Sequence, residues 1–204
     1  MRYLALGDSF TIGTGTTPDR SFPAVLVARW RGDGRQWDLR NPAVNGFTTD
    51  DLIREELPLV EAYRPDLVTV LIGANDIVAA LRDAAAVTKR AEERYRRQLR
   101  RIHERVKADA PTAARFALPQ PDWSVTPAGS SFGDPADVAK AIEQFNLIAR
   151  EEVDASGGSY VDIFPLMRLQ MRKGMTAPDG LHPSAAAYAE WSNALKERLL
   201  THTI

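Results

Sequence analysis

The chain has 204 residues, of which 26% are charged and 44% hydrophobic, a composition typical of a globular domain. Its 26 basic and 27 acidic residues leave a formal net charge of -1, which gives no electrostatic reason to expect a nucleic acid or an anionic membrane as partner. It contains no cysteine, which excludes disulfides, thiolate metal sites and a cysteine nucleophile.

The length predicts one domain spanning residues 1–204. The N-terminus lacks a basic region followed by an apolar segment, and no apolar run is long enough to span a bilayer. We therefore expect a cytoplasmic protein without an integral membrane segment, while a leader preceding Met1 in a longer precursor remains open. The oligomeric state is not predictable from the sequence.

Strand-like and helical stretches alternate along the chain. The strongest predicted strand, Asp66–Ile72, is a continuous β-branched run of the kind buried on both faces of a parallel sheet. Tyr3–Leu6 precedes it, as does Trp37–Val44, which Pro42 interrupts; Ala113–Leu118 and Ser159–Ile163 are weaker strands. The predicted helices are Ser21–Arg31, Asp50–Tyr63, Ala84–Asp109, Asp134–Ala155 and Ser184–Leu200, with caps at Thr49 or Asp50, at Asp134 and at Ser184.

This alternation predicts a parallel sheet covered by helices on both faces, a three-layer α/β/α sandwich. The segment from Lys89 to Lys107 is rich in Arg and Lys but has helical spacing, which favours a charged surface helix over a nucleic-acid site. Its expected buried stripe consists of Tyr95, Leu99, Ile102 and Val106.

Pro119–Pro135 is rich in Pro, Gly, Ser and Asp and is predicted to be one long ordered loop. A loop of this length inside a compact domain is uncommon and often functional. Its aromatic side chains Trp123 and Phe132 either form a wall of a substrate site or pack the loop against the core.

Chemistry-bearing residues follow successive predicted strands. Ligands of an open parallel sheet bind beyond the carboxyl ends of its strands. Gly7-Asp8-Ser9 follows the first strand, Asn45-Gly46 the second and Gly73-Ala74-Asn75-Asp76 the third, while Asp179-Gly180-Leu181-His182 precedes the last helix. Each of these is also compatible with ordinary turn or cap chemistry when taken alone. Their order after successive strands favours a site for acyl transfer.

A serine nucleophile needs a positioned base, and the chain has three histidines. His103 lies in the charged helix and is expected at the surface, and His202 lies in the last three residues, where fraying is expected. This leaves His182 as the base for Ser9. Asp179, three residues earlier in a turn, can hold the imidazole in one tautomer and stabilise its protonated form.

An acyl transfer site also needs hydrogen-bond donors directed at the oxyanion of the tetrahedral intermediate. The amides of Ser9 and Gly46 and the side-chain amide of Asn75 are the expected donors. A glycine lets its amide approach a ligand closely because no side chain intervenes.

Together these four blocks resemble the motifs of the GDSL/SGNH hydrolase family, with Phe10 where the family name has Leu. The resemblance runs from residue 7 to residue 182 in the family's order. It implies a flavodoxin-like sandwich of about five parallel strands, Ser9, Asp179 and His182 as catalytic residues, and Ser9, Gly46 and Asn75 as the oxyanion hole. It implies no metal and no cofactor.

The expected function is hydrolysis of a small-molecule carboxylic ester, as in an esterase or lipase, through an acyl-Ser9 intermediate. Deacetylation of a carbohydrate would use the same residues and is kept as an alternative. A non-catalytic binding module on the same fold is the third candidate. A Gly-x-Ser-x-Gly nucleophile elbow, a Walker loop and a dinucleotide fingerprint are all absent, which excludes the classes they mark. The acyl-chain length and the natural substrate stay open.

Overall fold

Parallel strands form one sheet in the computed structural model, which describes residues 1–83 and 88–200. The strands are β1 (Arg2–Gly7), β2 (Asp38–Arg40), β3 (Leu67–Leu71), β4 (Ala114–Ala117) and β5 (Ser159–Tyr160). They pair side by side in the order β2-β1-β3-β4-β5, and every pair is parallel. The expected α/β sandwich with a parallel sheet of about five strands is confirmed.

Helices connect these strands, as parallel pairing requires. A π-helical turn lies at Leu52–Glu56, and short 3₁₀ turns lie at Pro18–Arg20, Trp123–Val125 and Gly129–Phe132. The α-helices are α1 (Ser9–Ile12), α2 (Phe22–Gly32), α3 (Thr49–Asp51), α4 (Pro58–Tyr63), α5 (Ala74–Asp83), α6 (Lys89–Asp109), α7 (Pro135–Ala155), α8 (Phe164–Arg172) and α9 (Ala185–Lys196).

The strand order contains a switch point beside β1. From β1 the chain moves outward to β2, then returns to the other side of β1 to form β3 and continues to β4 and β5. The crossovers between parallel strands are right-handed. The helices that connect strands in the direction of β2 and those that connect strands in the direction of β5 therefore lie on opposite faces of the sheet. Accordingly, α2 packs with α9 and α6 packs with α7. A crevice opens at such a switch point, beyond the carboxyl ends of β1 and β3.

The centre of the core is the pair β1 and β3. Tyr3 lies opposite Leu67 and Gly7 opposite Leu71, so that both strands end at the same level. Every residue of β3 is buried, as its continuous β-branched sequence predicts. Inside the sheet the hydroxyls of Tyr3 and Thr69 hydrogen-bond to each other at 2.8 Å. The two loops that leave β1 and β3 therefore start from a rigid base.

Several predicted elements are shorter or more divided in the structure. Strand β2 ends at Arg40, ahead of Pro42, and β5 ends at Tyr160. The predicted helix Asp50–Tyr63 is interrupted by the π-helical turn and by Pro58. The start predicted for α6, at Ala84, lies outside the described residues, and α6 is described from Lys89 onward. Helix α9 ends at Lys196 rather than Leu200, and α8 was not predicted.

The helix caps confirm two of the three predicted positions. Asp134 accepts a hydrogen bond from the Ala136 amide, and Ser184 accepts one from the Ala187 amide. For α3 the cap is Thr48 rather than Thr49 or Asp50, and Asp51 completes a capping box with it. The prediction missed this by one residue because Thr49 has another partner, described below.

No helix in the described ranges is long and apolar enough to cross a membrane. The cytoplasmic location and the single domain expected from the sequence stay predictions.

Candidate active site

Ser9 is the first residue of α1, directly after β1. Asp8 caps this short helix, and its side chain accepts a hydrogen bond from the Phe10 amide at 3.0 Å. Amides in the first turn of a helix have no acceptor within the helix, so the Ser9 amide is free of the helical pattern. The Ser9 residue is 5% exposed. The strand end therefore presents one hydroxyl and one amide together.

Asp8 ties the Ser9 segment to its surroundings. It is fully buried, and it also accepts hydrogen bonds from the Ala74 amide and, at 3.4 Å, from the side chain of Gln120. Burial raises the pKa of the Asp8 carboxyl to about 7, although these donors oppose the shift. One side chain thus connects the loop after β1, the loop after β3 and the segment 119–135.

Gly46 lies in a tight turn in which the Phe47 amide donates to the Val44 carbonyl at 3.2 Å. Its φ of 92° at the third position is the conformation that type II turns require and that glycine adopts without strain. A methyl group in place of its hydrogen would contact nothing within 4 Å, so the requirement is conformational rather than spatial. The turn leaves the Gly46 backbone exposed.

Asn75 and Asp76, in the first turn of α5, bond the Gly46 turn and the start of α3, respectively. The Asn75 side-chain NH₂ donates to the Phe47 carbonyl at 2.9 Å. The Asp76 carboxylate accepts from the Thr49 amide at 3.0 Å and from the Thr49 hydroxyl at 2.6 Å. Burial raises the pKa of Asp76, and the Thr49 donors oppose this. An amide NH₂ has two hydrogens, so Asn75 keeps one for a ligand.

Asp179 and His182 form a local hydrogen-bonded turn. One Asp179 carboxylate oxygen accepts from the Leu181 amide at 2.9 Å and from the His182 amide at 3.0 Å. The other lies 2.7 Å from His182 Nδ1. Burial alone would raise the pKa of Asp179, but these amides and the imidazole lower it below its ordinary value. The carboxylate is therefore charged when it fixes the imidazole tautomer.

A cavity of about 310 Å³ brings the predicted residues together. Asp179 does not line it, but it lies behind His182, to which it is bonded. The cavity is lined by Ser9, Phe10, Asn45, Gly46, Ala74, Asn75, Val78, Ala79, Arg82, Trp123, Phe132, Leu181 and His182.

The segment 119–135 contributes to this cavity through Trp123 and Phe132, which line it. Both rings also pack against the hydrophobic core, as the second expectation has it, and a role in substrate binding stays a prediction. The Phe10 ring stacks on Trp123, with centroids 6.0 Å apart, and lies 5.3 Å from the His182 ring. The Ala128 amide also donates to the Gly180 carbonyl at 3.0 Å, so the segment is bonded to the Asp179–His182 turn.

The expectation that His103 is a surface residue is wrong. Its stripe neighbours in α6 are buried as predicted, and His103 is buried with them at 1% exposure. Burial and the Arg115 charge lower the pKa of His103 to about 4, so its imidazole is neutral. His103 does not line the cavity, which supports its exclusion as the base for Ser9 without testing it. His202 lies outside the described residues.

Gly15 is a site residue that the sequence analysis missed. It lies beside the Asp179–His182 turn with a φ of 87°. A Cβ there would lie 2.5 Å from the Ala177 Cβ and 3.4 Å from both Asp179 Oδ2 and the His182 Cβ. The Gly13-Thr14-Gly15 spacing was a signal of positive φ, but no local pattern connects it with a turn more than 160 residues away.

Comparison with known protein families identifies one that covers most of the chain. The sequence model described as "GDSL-like Lipase/Acylhydrolase family" matches residues 5–190. Among curated proteins, an arylesterase from Vibrio mimicus is 31% identical over 75 residues. That match spans 37% of this chain and 38% of the relative, so less than half of the relative's length is compared.

Solved structures share the fold over nearly the whole chain. A lipase/acylhydrolase from Enterococcus faecalis has a TM-score of 0.74 at 21% identity, covering 97% of this chain and 96% of that one. A catalytic mutant of Axe2, an acetylxylan esterase from Geobacillus stearothermophilus, has a TM-score of 0.73 at 18% identity, covering 97% and 93%. The family match over residues 5–190 confirms the resemblance found in the sequence motifs.

Proposed function

This chain belongs to the GDSL-like lipase/acylhydrolase family, and we propose that it hydrolyses carboxylic esters through an acyl-enzyme on Ser9. The observation that carries the proposal is the 2.7 Å contact between Asp179 and His182 Nδ1 at the cavity that Ser9 lines. With Nδ1 donating to Asp179, the other ring nitrogen of His182 is left as the acceptor that a serine nucleophile needs.

In the acylation step Ser9 Oγ attacks the ester carbonyl carbon while His182 takes the hydroxyl proton. The carbonyl oxygen becomes an oxyanion, which accepts hydrogen bonds from the Ser9 amide, the Gly46 amide and the second Asn75 hydrogen. Collapse breaks the bond to the alcohol oxygen, which leaves with the proton from His182. Asp179 stabilises the imidazolium in between.

Deacylation repeats these roles with water in place of Ser9. His182 takes a proton from the water as its oxygen attacks the acyl carbon, and the Ser9 oxygen leaves with that proton. The products are the carboxylic acid and the regenerated serine. Every group in both steps belongs to the chain, to the ester or to water.

The cavity supports esters with a short acyl chain or an aryl group. Its volume of about 310 Å³ has room for a small ligand, and the rings of Phe10, Trp123 and Phe132 line it. Acetylated sugars stay the alternative, since the same catalytic residues would serve them. A series of p-nitrophenyl esters of increasing chain length, assayed beside acetylated sugars, separates the two. Faster turnover of acetylated sugars than of short aryl esters would assign the site to carbohydrates.

Covalent labelling with a fluorophosphonate tests the nucleophile directly. We expect the wild-type protein and the Ser130→Ala control to be labelled, because Ser130 is an exposed serine of the segment 119–135. Ser9→Ala should not be labelled and should lose at least about 10⁴-fold in kcat. Unlabelled wild-type protein would favour the binding-module alternative, and equal labelling of Ser9→Ala would exclude Ser9.

A further inference from the structure

A carboxylic acid that the proposed mechanism does not use lies behind the nucleophile. Glu56 is the last residue of the π-helical turn Leu52–Glu56, and it is 1% exposed. Its Oε2 accepts the Gly7 amide at 2.9 Å, two residues before Ser9. Its Oε1 is buried and has no hydrogen-bond partner among the described residues. π-Helical turns are rare and often occur at functional sites.

The two oxygens of Glu56 indicate which protonation state the fold accommodates. A buried carboxylate is stable when several donors share its charge, whereas in the described part of the chain Glu56 has one donor, the Gly7 amide. An ionised Glu56 would leave its second oxygen charged and unpaired. The structure around Glu56 therefore suits the neutral acid.

Asp8 contrasts with Glu56 in its hydrogen bonding. Donors from Phe10, Ala74 and Gln120 surround the Asp8 carboxyl and oppose the effect of burial, so its pKa of about 7 is lower than that of Glu56. The negative charge of Asp8 in turn disfavours a second charge on Glu56. Burial, and then Asp8, raise the pKa of Glu56 to about 8, although the Gly7 amide opposes the shift.

The other charged groups of the elements around Glu56 are directed elsewhere. In α3, Asp50 pairs with Arg94 and Asp51 pairs with Arg54. Glu55, next to Glu56, also pairs with Arg54. These are partly or largely exposed surface pairs, and Arg2 of β1 and Glu61 of α4 are exposed as well. Asp8 is thus the charged group that acts on Glu56, and its effect on the pKa of Glu56 is smaller than that of burial.

We propose that Glu56 is a positioning residue that holds the Ser9 segment as a neutral acid, and that its ionisation slows ester hydrolysis by placing a second negative charge behind Ser9. The proposal rests on Ser9 being the nucleophile. The proton of Glu56 passes to solvent as the pH rises, and no bond to substrate changes. The new charge opposes the negative charge that develops on the ester oxygen in the transition state.

The first test is the pH dependence of kcat, measured between pH 6 and pH 10 with a p-nitrophenyl ester and corrected with Ser9→Ala as blank. We expect wild-type kcat to fall roughly tenfold above about pH 8, the order of magnitude for one added charge near the reacting atoms in a medium of dielectric constant about 20. Glu56→Gln keeps an acceptor for the Gly7 amide but cannot ionise, so its kcat should stay within about threefold of wild type at pH 7 and lack the alkaline fall.

Glu55→Gln is the matched control, since it makes the same change one residue away at an exposed side chain. It should keep the alkaline fall of the wild type. An identical fall in Glu56→Gln, or no fall in the wild type, would overturn the proposal while leaving the assignment of Ser9 intact. Failure of the fluorophosphonate to label the wild type would instead contradict the proposed ester hydrolysis itself.

The second test needs no activity, because it measures thermal unfolding of Ser9→Ala with and without Glu56→Gln. The pKa of Glu56 is higher in the folded chain than its ordinary value of 4.5. Its contribution to stability is therefore fully present below about pH 4.5 and is lost as the pH rises to about 8. We expect Ser9→Ala to lose several degrees more in Tm between pH 5 and pH 8 than Ser9→Ala/Glu56→Gln. Equal losses would show that Glu56 does not titrate in this range and would overturn the proposal.

Discussion

Ser9 and His182 line the same cavity, but the segments that carry them are anchored by different kinds of contact. The Ser9 segment is held by partners far away in sequence, Glu56, Leu71 and Gln120, and its acidic neighbour Asp8 is fully buried. The turn that carries His182 is held by Asp179, three residues earlier, whose side chain is 38% exposed.

This difference has consequences for both stability and chemistry. The Ser9 segment depends on buried carboxyl groups whose pKa values are raised by desolvation, so its environment responds to pH. The Asp179–His182 pair keeps a carboxylate with a lowered pKa, which stays charged over the range in which a histidine base operates. In the proposed mechanism, a buried nucleophile thus faces an acid–base pair whose two members lie three residues apart. The variants below test the two segments and the contact between them.

The largest effect is expected where the acid–base pair loses its base. His182→Ala should lower kcat by about 10³- to 10⁶-fold, since Ser9 then has no positioned proton acceptor. The fold of this variant should be intact, because the other hydrogen bonds of the turn join backbone amides to the Asp179 carboxylate. The measurement is single-turnover kinetics with circular dichroism as a check on folding.

His103→Gln is the contrasting histidine variant. It removes the buried neutral imidazole of α6 and should lower Tm while leaving kcat within about threefold of wild type. A loss of kcat in His103→Gln as great as in His182→Ala would contradict the assignment of the base.

Asn75→Ala tests whether the Asn75 side chain stabilises the oxyanion in the proposed mechanism. The variant should lower kcat by about 10²- to 10³-fold, the usual loss for one oxyanion donor. It also removes the bond to the Phe47 carbonyl, so Tm must be measured alongside. Asn75→Asp, which has the same shape but a negative charge, should be no more active than the alanine variant. A kcat near wild type in Asn75→Asp would exclude an oxyanion donor at this position.

Gly15→Ala tests the contact between the Ser9 side of the cavity and the Asp179–His182 turn. The added Cβ would meet Ala177 at 2.5 Å and press on the Asp179–His182 turn, so we expect kcat to fall about 10- to 100-fold. Gly34→Ala is the matched control, because Gly34 has a φ of 80° and a methyl group added there would meet no atom within 4 Å. It carries the same backbone strain without the contact. Equal losses of kcat in the two variants would show that Gly15 does not support the turn.

The smallest effect is expected for Phe10→Leu, which restores the residue of the family name. Phe10 packs between Trp123 and His182, so the substitution loosens the wall beside the base. We expect a two- to fivefold loss of kcat with KM changed by a similar factor, and a Tm lowered by a few degrees. Unchanged kinetics would show that the ring only fills the core.

Much of the site was predictable because its motifs are short and local. The Asp179–His182 pair needs only three residues of spacing, and β3 is evident from its unbroken β-branched run. The positions of Ser9 and Asn75 followed from one topological rule, that loops after parallel strands meet at one edge of the sheet. These inferences need no knowledge of which side chains pack together.

The sequence by itself determined the fold class, the strand β3 and the meeting of Ser9, Gly46, Asn75 and His182 at one cavity. Only the tertiary structure decided that His103 is buried, that Glu56 reaches the Gly7 amide and that Gly15 lies against a turn more than 160 residues away. The reason is physical. Periodicity and turn chemistry report interactions between neighbours in the chain, whereas burial, desolvation and close packing depend on partners that the fold alone brings together.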